Sequence, residues 1–112
     1  GERWRQFFER FDLLLCPTLS TPAFPHTSVP PQGRTLTVNG REEPFESQLL
    51  WAALAGVAYL PASVAPIGLS SEGMPVGVQI IGPQYGDLTC VKFAQLLEER
   101  YRAFVPPAGY GD

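Results

Sequence analysis

Few side chains in this 112-residue chain could do covalent or acid–base chemistry, and their spacing decides what they are worth. There is one histidine, His26, one lysine, Lys92, and two cysteines, Cys16 and Cys90. Cys16 with His26 would make a thiol nucleophile and its base. However, Cys16 closes the apolar run Leu13-Leu14-Leu15 and so ends a buried strand. The proline-rich chain between the two residues sets no geometry for the pair, so they read as a core thiol and a solvated imidazole. The serine pair Ser70-Ser71 sits beside Glu72-Gly73, in a turn. Glu42-Glu43 flanks a hairpin and Glu98-Glu99 lies on a helix, so both carboxylate pairs read as solvated faces. No His/Cys spacing suits a metal, no cofactor motif is present, and no catalytic residue is assigned.

The elements that would position any site centre on Leu60 to Gly82, LPASVAPIGLSSEGMPVGVQIIG. Two apolar runs, Ala62 to Leu69 and Pro75 to Ile81, flank the polar turn Ser70–Gly73. They predict two antiparallel strands joined tightly, with cores at 62–67 and 76–81. Both faces of the second are apolar, so it should be covered on both sides. Gln79 is the exception, an amide whose donors must find partners inside the sheet. The run DLLLCPT, stopped by proline, predicts a buried strand over 13–17 lying parallel to a neighbour. Leu19 to Gln32, with Pro22, Pro25, Pro30 and Pro31, predicts a long ordered loop.

The remainder supplies cover. Trp4, Phe7, Phe8 and Phe11 recur at helical spacing and predict a helix over 2–11. Asn39-Gly40 between β-favouring residues predicts a minor hairpin over 35–43. Pro44 should open a helix over 45–56 that is apolar nearly all round, buried on most sides and stopped by Gly56. Asp87 should cap a last helix over 87–103, with Cys90, Ala94, Leu97 and Tyr101 on its inner seam and a frayed tail from Pro106 to Asp112.

Composition narrows the class. Charged residues are 17% against about 25% in ordinary domains. A chain this short should be more charged, so some of its surface is built to lie against other protein. Net charge is −3 and no basic stripe exists, so nothing suggests nucleic-acid binding. No apolar run approaches the roughly 20 residues that span a bilayer. The two cysteines read as buried free thiols of a cytoplasmic protein, with a disulfide as the alternative that no residue pattern supports.

The run LPASVAPIGLSSEGMPVGVQIIGP resembles the C-terminal part of the amidase signature family. That part reads G-L-P-A, then a small-residue strand ending in Pro-x-Gly-Leu, then G-L/M-P-V-G-V/L-Q-I/L-I-G and an acidic residue opening a helix, here Asp87. The similarity extends back through DLLLCPTLSTP, Asp12 to Pro22. It implies an α/β fold: a small mixed β-sheet of three main strands plus the hairpin, covered by about three helices, as the C-terminal portion of the amidase signature fold. It implies hydrolysis of a carboxamide by a Ser–cis-Ser–Lys triad. That chemistry needs a lysine kept neutral by burial, whereas Lys92 lies on the polar face of a helix, and Ser70-Ser71 lacks the surrounding glycine/serine-rich loop. None of the triad maps here.

The expectation is therefore a single segment, 1–112, whose catalytic part lies upstream, beyond Gly1, and which is inactive alone. Its partners would be that missing part, a small-molecule amide, and a second copy through exposed apolar surface, with no nucleic acid, membrane or cofactor. The loop after Pro17-Thr18 approaches the active-site mouth in the family, which makes Thr18, Pro22, Phe24 and His26 substrate-lining candidates. On the residues alone, a surface loop without a ligand is the alternative. The tRNA-dependent amidotransferases of the family carry a Y-T-x-P-A-N-L-A-G-type segment where this chain reads LLWAALAGVAYL, Leu49 to Leu60. That departure points to a free-standing amidase of small or aryl amides. Tyr59 stands where the family has glycine before L-P-A. The competing reading is a stand-alone binding or assembly domain that shares ancestry with amidases. Such a domain would be a monodisperse monomer, whereas a section of an enzyme would expose apolar surface.

Overall fold

The computed structural model describes residues 1–111. In chain order it places helix α1 (Glu2–Arg10), strand β1 (Leu14–Pro17), the hairpin β2 (Thr35–Val38) and β3 (Arg41–Pro44), helix α2 (Leu50–Val57), strands β4 (Ala62–Leu69) and β5 (Pro75–Ile81), and helix α3 (Asp87–Arg100). Short 3-10 turns at Pro31–Gly33 and Glu46–Leu49 complete it. The α/β class, the three main strands with a minor hairpin and the three helices all stand as the sequence predicts.

The main sheet has the order β1-β5-β4, with β5 in the middle. Its central strand is the most buried one, and Ile80 and Ile81 are both fully buried on opposite faces. One face packs Cys16, Ala55 and Ile81 with Phe8, Leu14, Leu54 and Leu60. The other packs Ala65, Ile80 and Cys90 with Leu13, Val78, Phe93, Ala94 and Leu97.

The β4–β5 turn is built by Ser70. Its hydroxyl oxygen accepts from Met74 N (3.1 Å) and Glu72 N (3.3 Å), while Gly73 takes a left-handed φ of +83°. In the small hairpin Asn39 (φ +52°) and Gly40 (φ +79°) both sit left-handed, the geometry that matches strand twist. The hydroxyls of Thr35 and Thr37 donate to Glu42 (2.6 and 2.5 Å) and hold its carboxyl below the usual range.

Several expectations are corrected. The sheet is not mixed: β1 pairs antiparallel with β5, in register Leu14↔Ile81 to Pro17↔Val78. A continuous apolar run carries no information about strand direction, and this strand is not buried on both faces either: only Cys16 is buried, and Leu15 is 48% exposed. Pro44 ends β3 instead of opening a helix, because its fixed φ suits an edge-strand end equally well. Asp87 is the first helical residue, with Gly86 at the cap position and no side-chain cap bond. Helix α2 is not stopped by Gly56 and is not buried on most sides. Only Ala55 is buried there, and Leu50 is 69% and Val57 78% exposed. Helix α2 packs its Leu54 and Ala55 on the sheet face that carries Cys16 and Ile81, and leaves much of its apolar surface open. The last helix stops at Arg100, short of 103. Asp112, the end of the expected frayed tail, lies outside the described residues.

The end of α2 is a Schellman turn. Leu60 N donates to Ala55 O (2.9 Å) and Tyr59 N to Gly56 O (3.2 Å), while Leu60 packs beside Ala55. The left-handed position of this motif normally takes glycine. Tyr59 occupies it at φ +56°, with its side chain in solvent, 85% exposed.

Candidate functional site

The chain leaves β1 at Pro17 and crosses the end of β5, which opens a cleft of about 340 Å³. The continuous segment 17–24 forms one wall, and Pro75, Val76 and Gly77 of β5 form the other. The cleft exists because β1 and β5 are neighbours. Gly77 belongs there for a packing reason: a Cβ at this position would sit 3.1 Å from Val64 Cγ1 and 3.3 Å from Ala65 O.

The long loop is fastened at both ends. At its start, Gln79 on β5 donates from Nε2 to Pro17 O (3.2 Å). At its end, Arg34 donates from Nε and Nη2 to Val29 O (3.1 and 2.8 Å). The guanidinium of Arg34 lies 5.0 Å over the Phe45 ring, and Phe45 meets Phe24 edge to face at 5.8 Å. Phe24 is thereby held from behind, a weak cation–π and aromatic relay that orders the middle of the loop. Within the loop, the Thr21 hydroxyl donates to Pro22 O (2.9 Å).

Of the predicted lining residues, Thr18, Pro22 and Phe24 share this cleft. Thr18 and Phe24 are half-buried and Pro22 is exposed. His26 is exposed and lines a second concavity of about 280 Å³, which also takes in Phe24, Arg34 and Leu36. A larger concavity, about 780 Å³, lies between α1 and the turns at 58–60 and 83–85 and contains none of the four. Sequence reasoning misses Pro75, Val76 and Gly77 as the opposite wall. The signal that would find them is the pairing of β1 with β5, which the apolar run of β1 does not encode.

The cleft is lined by hydroxyls, prolines and apolar groups and contains no ionisable side chain. It can hold and orient a small, partly apolar molecule; it cannot move a proton. The remaining reactive groups are committed elsewhere. Ser70 holds its turn. The Cys16 thiol is buried, and desolvation pushes its pKa up, against a smaller opposing effect of the Gln79 hydrogen bond. It is joined to Gln79 (Nε2 to Sγ 3.3 Å) and not to His26. Burial, with the Asp87 carboxylate nearby, also pushes the Cys90 thiol up. Both thiols are free. Among the described residues no three His, Cys, Asp or Glu side chains come together as a metal site, and no helix is long and apolar enough to cross a membrane.

The chain as a whole has counterparts among known proteins. The family model described as Amidase matches residues 1–91, and the chain belongs to that family. It is 29% identical over 100 residues to a glutamyl-tRNA(Gln) amidotransferase subunit of Wolbachia, covering 89% of this chain and 18% of that protein. It is 29% identical over 97 residues to an indoleacetamide hydrolase of Bradyrhizobium japonicum, covering 87% of this chain and 20% of that protein. The crystal structure of a bacterial aryl acylamidase of the amidase signature enzymes superposes with a TM-score of 0.64 at 29% identity, over 95% of this chain and 23% of that one. The chain thus spans about a fifth of the length of the relatives it matches. Equal identity to the first two does not separate the tRNA-linked branch from the small-amide branch.

Proposed function

We propose that this chain is the C-terminal section of an amidase signature hydrolase that cleaves a carboxamide C–N bond with water, giving a carboxylic acid and ammonia or an amine. One observation carries the reading: in a chain of this family, the cleft is shaped for a small molecule and has nothing in it to activate a nucleophile. Nucleophile, base and oxyanion donors would then come from the remainder of the enzyme, where an acyl-enzyme forms and is hydrolysed. The present residues hold the substrate. Phe24, Pro22 and Val76 offer an apolar wall, and the hydroxyl of Thr18 a polar contact. His26, beyond Phe24, would meet only the outer end of a longer substrate.

This wall suits small or aryl amides, and the LLWAALAGVAYL departure supports a free-standing amidase over a tRNA-linked one. The exposed apolar face of α2, with Leu50, Trp51 and Val57, supports a surface covered by the rest of the enzyme, or in its absence by a second copy. A cytoplasmic location belongs to the same proposal and draws on the two free thiols. The test is ammonia or amine release from a panel of aliphatic and aryl amides. The full-length protein should turn several over and the 112-residue chain none. Turnover by the short chain would overturn the division of labour, and a folded full-length protein inert on the whole panel would overturn the activity.

A further inference from the structure

We propose that Gln79 is the positioning residue of the substrate cleft: its side-chain amide sets where the loop wall stands relative to the β5 wall. This rests on the reading of the cleft as the substrate site.

Gln79 is 5% exposed and lies on the central strand, beside fully buried isoleucines. Its Nε2 donates to Trp51 O at 2.9 Å and Pro17 O at 3.2 Å, and lies 3.3 Å from Cys16 Sγ. Two carbonyl partners fix which end of the amide points this way, because a carbonyl oxygen can only accept. The partners are 28 and 62 residues away in sequence. One side chain therefore ties together three elements, β5, the end of β1 and α2, that are otherwise distant along the chain. Pro17 is the first residue of the loop wall, and Gly77, two positions before Gln79, belongs to the opposite wall. The anchor and one wall share a strand, and the other wall is anchored at its first residue. An apolar side chain of similar length would fill the same volume and leave Pro17 O and Trp51 O without this donor. Packing alone therefore does not call for the amide.

The experiment uses the full-length protein with Gln79→Met and Gln79→Glu. It reads kcat and KM on one amide, and hydrogen exchange of the amides from Thr18 to Phe24. The methionine variant should raise KM about tenfold, the scale of one lost hydrogen bond, with kcat within about threefold of the parent. Exchange over 18–24 should quicken while the β4 amides hold. In the glutamate variant a carboxylate cannot donate, whereas the protonated acid, favoured by burial as pH falls, donates one hydrogen bond. Its KM relative to the parent should recover on going from about pH 8 to about pH 5.5. A methionine variant that melts earlier but keeps the parent KM and the parent exchange over 18–24 would reduce Gln79 to a core residue and overturn the proposal. Should that variant not fold, a glutamate variant without recovery at low pH would do the same. If the parent hydrolyses no amide, the amidase reading fails and the exchange data alone decide the positioning role.

Discussion

Replacing Tyr59 by glycine should stabilise the protein, although it deletes an aromatic ring. Tyr59 holds the left-handed position of the Schellman turn at φ +56°, and its side chain is 85% exposed. The ring therefore contributes little burial to lose. The backbone conformation costs an L-residue about 1–2 kcal/mol. Glycine escapes that cost but adds freedom to the unfolded chain, which takes back about 0.5–1 kcal/mol. The net gain is about 0.5–1 kcal/mol, or a rise of about 2–6 °C in Tm for a domain of this size. Urea unfolding should show a higher midpoint at unchanged slope, the sign of altered stability without altered compactness. Tyr59→Ala is the control: it removes the ring, keeps the Cβ and should change stability by less than about 0.5 kcal/mol. The reasoning is refuted if the glycine variant is no more stable than the alanine variant, because the strain would then not reside in the backbone.

Gly82→Ala should destabilise by about 1–3 kcal/mol, because the new Cβ would stand 2.6 Å from Cys90 Sγ and 3.3 Å from Gly86 O. Adding Cys90→Ala should recover part of that loss in a double-mutant cycle, and strict additivity would contradict it. Burial raises both thiol pKa values above their unfolded value of about 8.5. Their contribution to stability is thus complete below that pH and is lost as pH rises through the higher folded values. The urea midpoint should fall from about pH 8.5 upward, and Cys16→Ala should flatten that decline. Iodoacetamide at about pH 6 should leave Cys16 unlabelled, and His26→Ala should change nothing; rapid labelling abolished by that change would restore the thiol–imidazole pair. Phe24→Ala in the full-length protein should raise KM for aryl amides about tenfold and leave aliphatic amides nearly unchanged, measured as separate kcat and KM.

Much of this architecture is legible in the residues. Asn39-Gly40 fixes the hairpin because both positions need a positive φ that asparagine and glycine tolerate. The pattern from Val76 to Ile81 identifies a doubly covered strand, and the lone polar side chain in it, Gln79, has to find backbone partners. What stays illegible has physical causes. An apolar run such as Leu13 to Cys16 does not encode which way its neighbour runs, and with Leu15 half exposed it overstates burial too, so it misleads about the direction of β1 and hides the β5 wall of the cleft. Pro44 and Gly56 are punctuation marks with two meanings. The stop of α2 is instead the left-handed Tyr59, a residue type that gives no local warning of that conformation. The apolar girth of α2 misleads in the same way, since among the described residues only Ala55 of that helix is buried. His26 shares the loop with Phe24 yet faces another concavity, since sequence distance within a proline-rich loop says nothing about which side a residue takes.

The claim that most of this depends on is that segment 17–24 and the Pro75–Gly77 edge of β5 together hold the substrate. Hydrogen exchange of the full-length protein, with and without saturating carboxylic acid product of an amide it hydrolyses, tests it most directly. The account predicts slower exchange at Thr18, Leu19, Phe24, Val76 and Gly77, with the amides around His26 and the groove beside α1 unchanged. Protection confined to that groove, with none along 17–24, would contradict it.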